Sequence, residues 1–291
     1  MNTDAPITSR RVHAADGTSL AVQEIAGDES LIVALHGFTG AGSTMLPLLE
    51  GVRGTKSAVT IDLIGHGDSD APDHLEQYSM PSVVDQVLSV IGPRQPLSVH
   101  LIGYSMGGRI ALSLGARAPW YFASITTISS TPGIEDPIQR AERHDADLAL
   151  ASHLEAVGVD DFIEEWLTNP LFASYVSSLD DDGRMATVTQ RRASSATGLA
   201  NSLRGTGTGA MPPVWANLGS IRSPLLAIAG ELDDRYVDIA NELSQRVLNG
   251  RAEVVSGAGH VVHEENLVES TNLVAKFLQS CELIEPERGQ E

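Results

Sequence analysis

Gly103-Tyr104-Ser105-Met106-Gly107 follows the apolar run Pro96-Leu97-Ser98-Val99-His100-Leu101-Ile102 and leads into a helix-like run from Arg109 to Arg117. A Gly-X-Ser-X-Gly pentapeptide carries little weight alone, but between a strand and a helix it reads as a nucleophile elbow, a sharp turn that pushes the serine hydroxyl out for reaction. Glycines two residues to either side spare the turn a side-chain clash with the backbone and helix beside it. The alternative reading is an ordinary glycine-rich turn.

A serine hydroxyl is a weak nucleophile or base at neutral pH, so the elbow requires a histidine to take its proton and a carboxylate to hold that histidine. Downstream, Pro224-Leu225-Leu226-Ala227-Ile228-Ala229 has the pattern of a buried parallel strand and ends in Gly230-Glu231-Leu232-Asp233. Asp233 is the expected acid, with Asp234 as its alternative. The next strand-like segment, Ala252 to Val255, runs into Gly257-Ala258-Gly259-His260, which makes His260 the expected base. A developing oxyanion needs backbone donors, one from the residue after the nucleophile and one from a loop after an earlier strand. Leu31 to Leu35 followed by His36-Gly37-Phe38-Thr39-Gly40 supplies that loop. The amides of Phe38 and Met106 are therefore the expected oxyanion hole, against the plainer reading of His36-Gly37 as a tight turn.

With 291 residues, 42% of them hydrophobic, the chain can bury one large core, or a core and a lid. No apolar run approaches the roughly eighteen residues needed to span a bilayer, and the first thirty residues lack a signal-peptide core, so a cytoplasmic location is expected. The 38 acidic and 19 basic residues give a formal net charge of -19, which argues against nucleic acid and anionic membranes as partners. Lys56 and Lys276 are the only lysines. Nearly every cation is thus an arginine, suited to gripping carboxylates, although a GC-rich genome gives the same bias. Cys281, the one cysteine, cannot form an internal disulfide.

No cofactor is expected: Gly40-Ala41-Gly42 lacks a third glycine at dinucleotide spacing, and no phosphate-loop lysine exists. His260 and His263 have no third ligand at a metal-site spacing, so no metal is expected either. Asp62 and His66 read as shaping a turn.

Strands are expected near Leu20–Ile25, Leu31–Leu35, Ala58–Ile61, Leu97–Ile102, Ser124–Ile128, Leu225–Ala229 and Ala252–Val255, alternating with amphipathic helices. That is an α/β fold with a mostly parallel central sheet covered on both faces. Between about 131 and 222 the strand pattern stops, and charged helical segments such as Glu135 to Ala156 and Asp160 to Leu167 form an inserted helical lid. The core thus divides into 1–130 and 223–285, with a tail at 286–291. The glycine-rich Arg204 to Gly209 and Pro212-Pro213 read as a turn returning to the core.

His36-Gly37-Phe38, Asp62-Leu63-Ile64-Gly65-His66-Gly67, the elbow, Gly230-Glu231-Leu232-Asp233 and Gly257-Ala258-Gly259-His260 together resemble the α/β-hydrolase superfamily. A narrower set comprises Gly103 to Arg109, Thr131-Pro132-Gly133-Ile134 with Arg140 and Arg143, Phe162 to Trp166, Pro170 to Ser174 and Gly198 to Gly205. It resembles the 2-succinyl-6-hydroxy-2,4-cyclohexadiene-1-carboxylate synthases of menaquinone biosynthesis, over roughly residues 30 to 280. The resemblance implies a lyase that eliminates pyruvate, with Ser105 as base and Phe38 and Met106 amides holding an enolate. It implies a small polycarboxylate substrate held by Arg109, Arg143 and Arg191, with Tyr104 and Trp166 lining the pocket. Arg109 also sits one helical turn after Ser105, on the same face, while Arg192 could take the place of Arg191.

Met211, where a glutamine is commoner, and Met45, where tryptophan is usual, depart from the family pattern. A serine hydrolase acting on a small acidic substrate is the alternative activity, and a non-catalytic binding module is the alternative class. Monomer or small homo-oligomer is left open.

Overall fold

The computed structural model describes residues 5–282 apart from 95 and 97. Leu97, read as a strand start, and the tail 286–291 lie outside the described residues. Among the described residues eight strands form one sheet: β1 Ile7–His13, β2 Ser19–Ile25, β3 Asp28–Leu35, β4 Lys56–Ile61, β5 Ser98–Tyr104, β6 Ser124–Ile128, β7 Leu225–Gly230 and β8 Gly250–Val255. Their order is β1-β2-β4-β3-β5-β6-β7-β8. β2 pairs antiparallel with β1 and β4, and every other pairing is parallel.

β3 shows why these residues choose a central strand. Its apolar run alternates between faces, and both faces are covered. Val33 and Leu35 join the core beneath helices Met80–Ile91, Met106–Arg117 and Asp234–Arg246. Ile32 and Ala34 join the opposite core beneath helices Leu46–Val52 and Leu267–Glu282. The seven expected strands are present, several of them a few residues longer than read. β1 is the addition: as an edge strand it is exposed at every position but Val12, so it lacks the apolar alternation that betrays a strand.

Between β6 and β7 the chain forms helices Pro137–Val157, Val159–Trp166, Ala173–Ser178, Asp181–Arg192 and Ala196–Thr206. Asp136, Asp180 and Ser195 cap three of them by accepting amide hydrogens. They share a small core of their own that includes Leu154, Phe162, Ile163 and Leu199. One part of the sequence reading needs correction. Arg204, Gly205 and Thr206 form the last turn of a helix rather than a loop, and Gly205 lies so close to Tyr78 that an added Cβ would meet its carbonyl oxygen at 2.4 Å.

The helical insertion is seated on the sheet's loops. Ser194 Oγ accepts from the Gly67 amide, and Gly65 and Gly198 meet backbone to backbone, with each one's missing Cβ site 2.5 Å from the other's carbonyl oxygen. Among the described residues no helix is long and apolar enough to cross a membrane.

Candidate active site

The parallel strands all end on one edge, where ligands of open α/β sheets bind. Ser105 follows β5 in the conformation φ 49°, ψ -106°, a strained geometry that costs about 1–3 kcal/mol and persists only if its surroundings enforce it. They do so from several sides. The Ser105 amide donates to Ile128 on β6, Ser130 Oγ donates to the Ser105 carbonyl, and the Arg109 amide donates to that same carbonyl. A Cβ at Gly107 would lie 2.2 Å from the Leu35 carbonyl oxygen, and one at Gly103 would lie 2.3 Å from that of Gly107. The elbow can close only because both are glycine.

His260 Nδ1 lies 2.8 Å from Asp233 Oδ2, and its Nε2 lies 3.3 Å from Ser105 Oγ. With Nδ1–H donating to the carboxylate, Nε2 is left to accept the serine proton. Asp234, weighed as the alternative acid, is exposed and begins the next helix. The loop carrying His260 is fastened on both sides by Glu265, whose carboxylate accepts from the amides of Gly259 and Val261 at 2.9 Å each. His263 does not share a site with His260. It is buried with its ring 4.5 Å from that of Tyr104, and burial holds its pKa below the ordinary value.

His36 does more than mark a turn. Its Nδ1 lies 2.7 Å from the Gly37 carbonyl oxygen, and its Nε2 accepts from the Leu63 amide at 3.0 Å. Full burial pushes its pKa down to about 4, so the ring is neutral and Nδ1 carries the proton. Because a trans peptide points C=O and N–H in opposite directions, anchoring the Gly37 oxygen also aims the Phe38 N–H. A Cβ on Gly37 would lie 3.5 Å from Ser105 Cβ, so this loop flanks the serine. Met106 starts the helix after the elbow, where an amide has no intrahelical partner. Asp62 accepts from the amides of Gly42 and Asp68, and His66 lies against His36, 5.1 Å between ring centres.

A cavity of about 150 Å³ opens on Ser105 and His260, lined also by Phe38, Met106, Tyr104, Trp166, Arg109, Arg143 and Arg191. Asp233 stands behind His260. Arg109 is buried, donating to Thr208 Oγ1 at 2.8 Å and to the Thr206 carbonyl at 3.0 Å. Burial lowers its pKa to about 10, which leaves it charged at neutral pH. Arg191 is equally buried and donates to Thr39 Oγ1 at 2.8 Å. Arg143 differs: its Nε pairs with Asp147 at 2.7 Å and its side chain is 41% exposed. Arg192 turns outward to Asp160 and Glu164, so of the two neighbours Arg191 faces the cavity.

Three buried N–H donors of cavity-lining residues, Arg109 Nε, Arg191 Nε and Trp166 Nε1, have no partner among the described residues. Buried donors are ordinarily satisfied, and buried cations ordinarily paired. A ligand bearing carboxylates would supply what they lack. Met45 and Met211 are buried in the cores and lie away from this cavity.

Sequence reading missed Arg235 and Tyr236, which also line the cavity, the Tyr236 ring 4.7 Å from that of His260. Their signal was available, since both sit in the first turn of the helix that Asp233 opens. Thr39 and Thr208 gave none, because their partners Arg191 and Arg109 lie 152 and 99 residues away; Glu265 gave none either, although the amides it holds are only six and four residues from it.

Residues 32–269 match a model of the alpha/beta hydrolase family. A putative 2-succinyl-6-hydroxy-2,4-cyclohexadiene-1-carboxylate synthase of Bacillus subtilis is 35% identical over 91% of this chain and 96% of its own length. The enzyme of that name from Escherichia coli is 29% identical over 81% of this chain and 88% of its own. The solved structure of MenH from S. aureus, 29% identical, superposes with a TM-score of 0.83 over 94% of this chain and 98% of the other. The elbow, the late acid and histidine, and strands β4 to β8 that place them fall within residues 32–269: this chain belongs to the alpha/beta hydrolase family.

Proposed function

We propose that the chain is a lyase of menaquinone biosynthesis. It eliminates pyruvate from 2-succinyl-5-enolpyruvyl-6-hydroxy-3-cyclohexene-1-carboxylate to give 2-succinyl-6-hydroxy-2,4-cyclohexadiene-1-carboxylate. The observation that carries this reading is the unspent cation set. Arg109 and Arg191 are buried beside the serine with no carboxylate partner among the described residues, in a chain of net charge -19. An isolated buried guanidinium is costly, and a polycarboxylate substrate supplies the missing anions. The named synthases resemble this chain through the lid that carries Arg143 and Arg191 as well as through the core.

In this reading His260 takes the Ser105 proton and Asp233 steadies the imidazolium that forms. The Ser105 oxygen removes a proton beside a carbonyl of the substrate, and the Phe38 and Met106 amides hold the enolate oxygen. When the enolate collapses, the carbon–oxygen bond to the pyruvyl group breaks, the leaving group takes up the proton held on His260, and pyruvate departs, leaving Ser105 and His260 as they began. No water is consumed and no acyl-enzyme forms. No cofactor enters these steps, and a cytoplasmic location suits a substrate with several charges.

The second reading is a serine hydrolase on a small acidic substrate. The 3.3 Å approach of Ser105 to His260 is equally suited to acyl transfer. Pyruvate release from the menaquinone precursor, run beside nitrophenol release from short nitrophenyl esters, separates the two. Fast pyruvate release with negligible ester turnover is expected; the reverse result overturns the lyase.

A further inference from the structure

Thr39 is a β-branched residue in left-handed backbone, with φ 65°, and it is fully buried. Such a residue stays in that region only where something outside its own backbone holds it. Arg191 Nη1 provides the hold from the lid, donating to Thr39 Oγ1 at 2.8 Å. The lid grips Phe38 as well. Its ring meets Trp166 edge-on at 5.4 Å and Phe162 at 6.4 Å. Phe38, whose amide is the expected oxyanion donor, and Thr39 beside it are thus both held from above, while His36 fixes the Gly37 oxygen from below.

We propose that Thr39 is a positioning residue through which Arg191 sets the Phe38 amide, so that holding a substrate carboxylate and aiming the oxyanion donor are one act. This rests on the reading of Arg191 as a carboxylate ligand. Nη1 is committed to Thr39, whereas Nε is unspent. The Nε–Nη2 edge of the guanidinium can therefore take a carboxylate in a two-pronged grip without releasing the threonine. An anion there restricts the guanidinium, and the guanidinium restricts the loop. The coupling also grades substrates: with a neutral ester Arg191 still holds Thr39, but its guanidinium lacks the further restriction that an anion imposes.

The test compares full-length wild type, Thr39→Val, Thr39→Ser, Arg191→Gln and the Thr39→Val/Arg191→Gln pair. It reads pyruvate release together with the rate at which a fluorophosphonate labels Ser105, a reaction whose phosphoryl oxygen occupies the same amides. Thr39→Val keeps shape and removes the hydroxyl; it is expected to lower kcat about tenfold with KM within about twofold, the mark of an interaction made in the transition state. Thr39→Ser is expected to return kcat to within about threefold of wild type, and Thr39→Val to add little in the Arg191→Gln background.

Unchanged kcat, a loss that serine does not rescue, or full additivity overturns the proposal. If wild type releases no pyruvate, the lyase reading fails, and labelling alone decides the role of Thr39. Labelling about tenfold slower in Thr39→Val and restored by serine then supports it, and equal rates overturn it. A wild-type serine that neither turns over nor labels overturns both.

Discussion

The sheet edge and the lid place their functional groups by different means. At the edge, Ser105 comes directly after β5, Asp233 three residues after β7 and His260 five residues after β8. Parallel hydrogen-bonded ladders fix where strands end, so these groups inherit their positions from the backbone. In the lid, Arg143 and Arg191 ride on helices, and their charged heads lie at the end of long side chains with many rotamers. Their positions come from what they bond: Asp147 for one, Thr39 for the other. In the proposed reading the sheet sets the chemistry and the lid sets what is admitted to it.

Removing the Ser105 hydroxyl tests the first half of that contrast most severely. Ser105→Ala is expected to cut kcat/KM about 10⁴-fold on any substrate with the melting temperature little changed; activity within tenfold of the parent breaks the assignment. The second half is tested by Arg143→Ala. Loss of a charge-assisted contact of about 2–3 kcal/mol predicts a drop of about a hundredfold in kcat/KM on a polycarboxylate, and less than about threefold on a neutral ester. Equal losses on both would make Arg143 a structural residue.

A third measurement asks whether the sheet side is the pH-sensitive one. Burial holds the folded-state pKa of His36 at about 4 and that of His66 at about 3, against an ordinary 6.5. As pH falls below 6.5 the unfolded chain takes up protons that the native rings refuse. Their contribution to stability is therefore complete above 6.5 and declines towards pH 4, by about 1.4 kcal/mol per histidine per pH unit. Urea midpoints at pH 7 and pH 5.5 read the decline, and His36→Gln should make it shallower; an unchanged slope contradicts the neutral, buried ring. The smallest effect is expected from Glu265→Gln, which weakens the carboxylate's hold on the His260 loop. A loss of about fivefold in kcat with KM unchanged is expected, and a change in KM alone would place Glu265 in binding.

The same contrast explains what was legible in the sequence. Seven of the eight strands announce themselves through apolar runs, and the strand–elbow–helix context names Ser105 before any coordinates. Asp233 and His260 follow because loops after later strands are the only places the fold leaves for them. β1 escapes notice because an exposed edge strand has no buried face to enforce a pattern. The lid is harder. Arg191 and Arg192 are neighbours of the same chemistry, and only packing shows that one turns to the cavity while the other meets Asp160 and Glu164. Thr39 was invisible for a related reason: its significance lies in a backbone angle and in a partner 152 residues away.

The backbone seam between Gly65 and Gly198 limits how this enzyme can be re-engineered. A lid transplanted from another chain must bring glycine at the position matching 198, or it will ride higher over the serine by roughly the thickness of a methyl group. Misplacement of about 1 Å is enough to cost about a hundredfold in rate. New specificities are therefore better sought by exchanging side chains on the existing lid than by importing a foreign one.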